Sequence, residues 1–152
     1  MRYDLSEVLR RYSSKEHIAA DVAEELGKEL KRFLILCAIF PNKQYPMTRV
    51  VDPLWHEFIM FTRKYSEYCN LLAGHFIHHH PNTEDDEPRD SILIRFDEFF
   101  IDYKSVFGEE TPAAYWPRLR HSEAPADCTN CQSKCHANDC SRCSGPECDR
   151  RP

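Results

Sequence analysis

Large apolar residues recur at steps of three and four along three stretches of residues 1–107, and this spacing restricts the chain to helices. The first stretch carries Ile18, Val22, Leu26, Leu30, Phe33 and Cys37. The second carries Trp55, Phe58, Thr62, Tyr65, Cys69 and Leu72, and the third carries Ile92, Phe96, Phe99, Tyr103 and Val106. We predict an all-α fold, a compact bundle of three main helices plus a short N-terminal helix. The residues predicted to contribute to its core are Trp55, Phe58, Tyr65, Phe96, Phe99 and Tyr103.

Local signals predict where the three main helices begin and end. Ser13 followed by Glu16 forms a capping-box pattern, which predicts one long first helix over 13–39. An aspartate–proline pair predicts the start of the second helix, over 52–73, and the glycine that follows predicts its end. The third helix is predicted over 91–107 and is also closed by a glycine.

Charge and hydropathy exclude several classes of partner. The formal net charge of −5 gives the chain no general basic face for nucleic acid or for anionic lipid. The longest apolar run, residues 33–40, is far shorter than the ~18 residues needed to span a bilayer. The N-terminal residues carry no apolar signal-peptide core. We therefore expect a cytoplasmic protein with no nucleic-acid partner and no membrane partner.

Composition changes near residue 120, which predicts a helical domain over 1–119 and a Cys-rich tail over 120–152. Residues 128–152 contain six of the eight cysteines and no aromatic or large aliphatic residue. Such a segment cannot offset the entropy cost of ordering by apolar burial. The tail is therefore either irregular and disordered, or ordered by a metal ion bound to its sulfurs.

The cysteine spacing in the tail predicts a soft-metal site. Two C-x2-C pairs are separated by eight residues, and thiolate pairs at this spacing fit a tetrahedral zinc ion or an iron–sulfur cluster. Thiolates also select copper(I), so we expect zinc or copper(I). The predicted ligands are Cys128, Cys131, Cys135, Cys140, Cys143 and Cys148. The alternative is a tail of reduced thiols, or of disulfides in an oxidising compartment.

Histidines form a second candidate metal site. Four of the eight histidines lie within residues 75–80, just after the second predicted helix, and His56 lies in that helix's first turn. An extended return of six residues covers about 20 Å, enough to reach His56 if the segment folds back along the helix. The candidate ligands are His56, His78 and His79. The alternatives are a hydrogen-bonded structural corner, with Asp52 as partner of His56, and a catalytic site.

A combined motif covers residues 28–117. Its first part is Val51, Asp52, Trp55, His56, Ile59, Thr62, Tyr65, Cys69, Gly74, His78, His79 and Pro81, and its second part is Phe107, Gly108, Tyr115, Trp116 and Pro117. In these residues the chain resembles the bacterial relatives of plant glycine-rich-domain-containing proteins. The resemblance implies a helical fold and no particular activity. Two departures stand out: Phe58 replaces a second histidine that many members carry, and the tail contains one glycine, Gly145.

The sequence offers no arrangement of residues typical of a catalytic centre. It contains no glycine-rich phosphate loop and no nucleophile elbow, and the carboxylates of Asp52, Glu57 and Asp97 show no pairing for acid–base work. We therefore expect a non-enzymatic binding protein that handles a soft metal ion through its Cys-rich tail. The alternatives are a metal-dependent enzyme that uses the histidine cluster, and a module that binds an unknown protein partner.

Overall fold

Five helices make up the secondary structure of the described residues. The structure, a computed structural model, describes residues 3–79 and 89–118. The helices are α1 (Ser6–Glu16), α2 (Ala20–Ile39), α3 (Asp52–Met60), α4 (Thr62–Ala73) and α5 (Arg89–Phe107). These residues include no strand, so the predicted all-α class is confirmed. Within the same two ranges no helix is both long enough and apolar enough to cross a bilayer.

The core is built from aromatic rings on α2, α3, α4 and α5. Phe33 on α2 lies near its middle, with ring centroids 5.3 Å from Trp55 and 5.9 Å from Phe99. All six predicted core residues are buried, so that prediction is confirmed. Three positions on the predicted stripes are exposed instead: Val22 at 41%, Val106 at 36%, and Thr62.

The chain reverses at His17, where the capping-box pattern predicted one continuous helix. His17 adopts a left-handed conformation with φ of 54°, which ends α1. Ser13 lies in the last turn of α1, and its hydroxyl donates to the Ile18 carbonyl at 2.7 Å instead of capping a new helix. The reversal has an energetic reason, since it lets α1 pack on α2 and bury Val8 and Tyr12.

The second predicted helix is divided at Phe61 into α3 and α4. Phe61 has ψ of 60°, outside the helical region, and its N–H donates to the Phe58 carbonyl at 3.0 Å. The break brings the Trp55 indole N–H within 3.0 Å of the Tyr65 hydroxyl. In an unbroken helix these two positions would lie about 15 Å apart along the axis, beyond the reach of the two side chains. The break therefore creates this hydrogen bond.

A buried carboxylate on α2, that of Glu29, connects α5 to the C-terminal segment, residues 108–118. Glu29 is 3% exposed, and the Trp116 indole N–H donates to its Oε2 at 2.7 Å. The Tyr103 hydroxyl donates to the same oxygen at 3.0 Å, and Arg32 lies 3.3 Å from Oε1. Burial raises the pKa of Tyr103 to about 12, so its hydroxyl keeps the proton that it donates. These bonds satisfy a group that is costly to bury alone.

Gly74 ends α4 in the left-handed region, with φ of +73°, and no atom lies within 4 Å of the position of an added Cβ. Only backbone strain therefore opposes a side chain there, and Gly74→Ala is expected to lower the free energy of unfolding by about 1–2 kcal/mol in a denaturant titration. Gly108, at the end of α5, has φ of +70° and is equally open, so Gly108→Ala should cost a similar amount. Unchanged stability in both variants would contradict this interpretation.

Candidate metal site

One carboxylate and two imidazoles converge at the start of α3. Asp52 is the first residue of α3, His56 lies one turn later, and His79 comes from the extended segment after α4. His79 Nε2 lies 2.7 Å from Asp52 Oδ1, and His56 Nδ1 lies 3.1 Å from Asp52 Oδ2. The two imidazole centroids are 4.4 Å apart. We call Asp52, His56 and His79 the histidine corner.

The Asp52 carboxylate bridges the two imidazoles because α3 does not use it as a cap. The sequence predicted Asp52 as the N-cap, but the N-cap is Val51 and no side chain caps the helix. Instead, the backbone N–H of Asp52 donates to the Thr48 carbonyl at 3.0 Å. Both carboxylate oxygens are therefore available to the histidines.

Two side chains hold the segment that carries His79, residues 75–79, against α3. The Trp55 indole N–H donates to the Tyr65 hydroxyl, which in turn donates to the Ile77 carbonyl at 2.6 Å. Burial raises the pKa of Tyr65, so this hydroxyl keeps its proton. The His79 ring stands edge-on to the Trp55 indole at 4.4 Å. The extended segment therefore does fold back along the helix, as its length allows, and packing against Trp55 fixes its position.

Alternation along the same segment separates the neighbouring histidines. Ile77 is 8% exposed and points into the core, and His79, two residues later, faces the same side. His78 faces away, is exposed, and has its ring 5.0 Å from that of Phe76. The structure thus brings His56 and His79 together and leaves His78 outside the corner. The isoleucine at position 77 was a usable sequence signal. In an extended segment, an apolar residue at 77 predicts that residue 79, and not residue 78, faces the same buried side.

Asp52 is the third candidate ligand, where the sequence suggested only a hydrogen-bond partner for His56. One ligand atom from each corner residue lies within 4.8 Å of the others. A tetrahedral zinc ion with ligands at about 2.0–2.1 Å would hold those atoms roughly 3.4 Å apart. An entering ion would therefore replace the two bridging protons and require the ligand atoms to shift.

The corner is covered on one side and faces solvent on the other. Side-chain exposure rises from 11% at His79, through 31% at Asp52, to 56% at His56. The exposed imidazole of His56 can move by the distance that an ion requires, while packing on Trp55 holds His79. This arrangement suits binding at the surface of a rigid frame.

The other groups with metal-binding chemistry do not belong to the corner. Glu57, next to His56, is 4% exposed and ion-pairs with Arg11 at 2.7 Å and Lys15 at 3.2 Å, which ties α1 to α3. Cys69 is fully buried on α4, as predicted for a small apolar residue. Burial raises the pKa of the Cys37 thiol to about 12, which disfavours the thiolate that a metal needs. The predicted tail ligands, Cys128, Cys131, Cys135, Cys140, Cys143 and Cys148, lie outside the described residues.

A groove of about 660 Å³ lies between α1 and α2, on a different part of the domain. Its walls include Tyr3, Arg10 and Lys31, and none of the three corner residues lines it. The Lys31 ammonium donates to the Tyr3 carbonyl at 2.6 Å, and burial lowers its pKa. The groove therefore contributes no group to the corner.

Comparison with known proteins gives one match. A family model described as UCP032817-like matches residues 2–92. This range includes all three corner residues and ends before the Cys-rich tail. Neither the search of curated proteins nor that of solved structures found a match. The similarity to glycine-rich-domain proteins stays a prediction, since these findings do not bear on it.

Proposed function

Because the chain belongs to the UCP032817-like family, whose description names no activity, we propose its function from the geometry of the histidine corner. The proposed function is binding of a divalent transition-metal ion, zinc before others, through Asp52, His56 and His79. The supporting observation is the convergence of one carboxylate oxygen and two imidazole nitrogens within 4.8 Å of one another.

The donor set favours zinc over the other common ions. Imidazole nitrogen suits zinc, copper, iron and nickel, whereas calcium and magnesium take oxygen ligands. Two histidines and one carboxylate are a ligand set that zinc accepts. The frame also favours binding, because His79 is already fixed against Trp55 and its ordering costs little further entropy.

The Cys-rich tail is proposed as a second, softer site. Its six cysteines would hold zinc or copper(I) as thiolates, and a cytoplasmic location would keep them reduced. We propose a binding role without catalysis, and no nucleic-acid partner, in line with the net charge of −5. The corner lies inside the family-matched residues 2–92 and the tail lies outside them, so the two sites are independent proposals.

A metal-dependent enzyme is the second candidate function. The observation that favours it is the exposure of His56, 56% for its side chain, which leaves solvent access to a bound ion. Catalytic zinc sites have three protein ligands and an open position, whereas structural sites are closed by four. An interaction module with an unknown protein partner remains the interpretation if neither site takes up metal.

The test measures zinc in the full-length, untagged chain and in a variant with all six tail cysteines changed to serine. We expect the serine variant to bind one zinc ion, and the parent to bind additional zinc or copper(I). Adding His79→Ala to the serine variant should weaken zinc binding by more than about 100-fold, since even outer-shell changes cost 10–100-fold. Elemental analysis gives the stoichiometry, and competition with a chelator gives the affinity.

His78→Ala is the matched control, because it removes a neighbouring histidine that lies outside the corner. In the serine background this variant should keep the parent affinity. Equal losses in the His78 and His79 variants would contradict the assignment, as would zinc binding in the His79 variant at the parent affinity. If the parent and the serine variant each bind one zinc ion, the tail site is wrong while the corner stands.

A further inference from the structure

The described residues offer an ion at the histidine corner three ligands and no fourth. Three other groups with metal-binding chemistry lie elsewhere: Glu57 pairs with Arg11 and Lys15, Cys69 is buried in the core, and the His78 ring lies against Phe76. A zinc ion with three protein ligands completes its coordination with a water or another small molecule.

The exposure of the two imidazoles shows from which side such a molecule would approach the corner. His79 is covered by Trp55 and only 11% of its side chain is exposed, whereas 56% of the His56 side chain is exposed. The added ligand therefore approaches from the His56 side, where it exchanges with solvent without any movement of the core.

Charge selects the kind of ligand. A divalent ion with one carboxylate and two neutral imidazoles carries a net charge of about +1, which attracts one small anion. The backbone N–H groups at the N-terminus of α3 cannot hold an anion without a metal ion. The N–H groups of Asp52 and Leu54 donate to Thr48 and Val51, that of Trp55 also donates to Val51, and Pro53 has none. An anion at this place therefore needs the ion.

We infer that the ion bound at the histidine corner keeps one exchangeable position, which takes a small monodentate anion of the carboxylate or azide class in place of water. This inference rests on the proposed function. It adds that the site is chemically accessible and can receive an exogenous ligand, a property that a closed structural site lacks.

The experiment uses the full-length variant with six tail serines, loaded with Co²⁺ as a coloured substitute for zinc, and titrated with azide. We expect a saturable change in the visible bands of the bound cobalt, with one azide per ion and no loss of cobalt. Adding His79→Ala should remove both the cobalt bands and the response to azide. Bound cobalt whose bands do not respond to azide would overturn the inference and leave the proposed function standing.

His80 follows His79 directly and lies outside the described residues, so it receives its own variant. If azide changes the cobalt bands only after His80→Ala, that histidine closes the site and the inference is wrong. If His80→Ala leaves the azide response unchanged, the inference is supported. If the serine variant takes up no cobalt and no zinc, the proposed function fails, and this inference fails with it.

Discussion

Replacing Phe99 with alanine is expected to lower the free energy of unfolding by about 3–5 kcal/mol. The Phe99 side chain is fully buried, and its ring centroid lies 4.5 Å from Trp116, 5.6 Å from Tyr45 and 5.9 Å from Phe33. These rings come from α2, the loop after it and the C-terminal segment. Truncation would leave a cavity between parts of the chain that cannot all close around it, and would remove several aromatic contacts.

A urea titration followed by circular dichroism measures this loss. Ile101→Ala is the control on the same helix, because Ile101 is 68% exposed and its truncation should change stability by less than about 0.5 kcal/mol. Phe99→Leu should fall between the two, since it fills part of the volume. Equal stability of the Phe99→Ala and Ile101→Ala variants would show that the aromatic cluster is not the centre of the core.

Removing the Glu29 carboxylate is the second large effect that we expect, about 3 kcal/mol for Glu29→Ala. The change leaves the Trp116 N–H and the Tyr103 hydroxyl without their buried acceptor. It also leaves Arg32, whose side chain is 28% exposed, with only the exposed Glu109 as an ionic partner. Buried donors without acceptors are costly, and so is a partly buried charge that loses its buried ionic partner.

Glu29→Gln tests which part of this loss is ionic. Glutamine keeps the volume and one acceptor oxygen but turns an N–H₂ group toward donors, so we expect a smaller loss of about 1–3 kcal/mol. Glu25→Ala is the control on α2, because its ion pair with Lys28 is exposed and should contribute less than about 1 kcal/mol. Glu29→Ala and Glu25→Ala variants of equal stability would refute the role given to the buried carboxylate.

Residue periodicity predicted the core of this fold but not the points where its helices end. Phe96, Phe99 and Tyr103 are buried as their spacing predicted. The breaks at His17 and Phe61 have no glycine or proline to mark them. Their causes are tertiary, since the first lets α1 pack on α2 and the second lets Trp55 bond to Tyr65. Contacts between distant residues overrode a continuous helical pattern that was correct locally.

The sequence predicted only part of the histidine corner, because tertiary contacts again decide the rest. His56 and His79 were both candidates from the sequence, and chain length allowed them to meet. Which of two adjacent histidines would face α3 depended on the register of an extended segment, and the Ile77 carbonyl, bonded to Tyr65, fixes that register. The availability of both Asp52 carboxylate oxygens to the histidines depended on Val51 being the N-cap, which spacing alone did not reveal.

The two tryptophans, each buried in a different network, give the molecule two separate optical signals. Trp55 touches His79 and Trp116 bonds to Glu29, while both indoles contact the ring of Phe33. Fluorescence from a Trp116→Phe chain would report on the histidine corner, and fluorescence from a Trp55→Phe chain on the docking of the C-terminal segment. Because the indoles share Phe33 as a neighbour, energy transfer between them would reveal whether the two regions loosen together or one after the other.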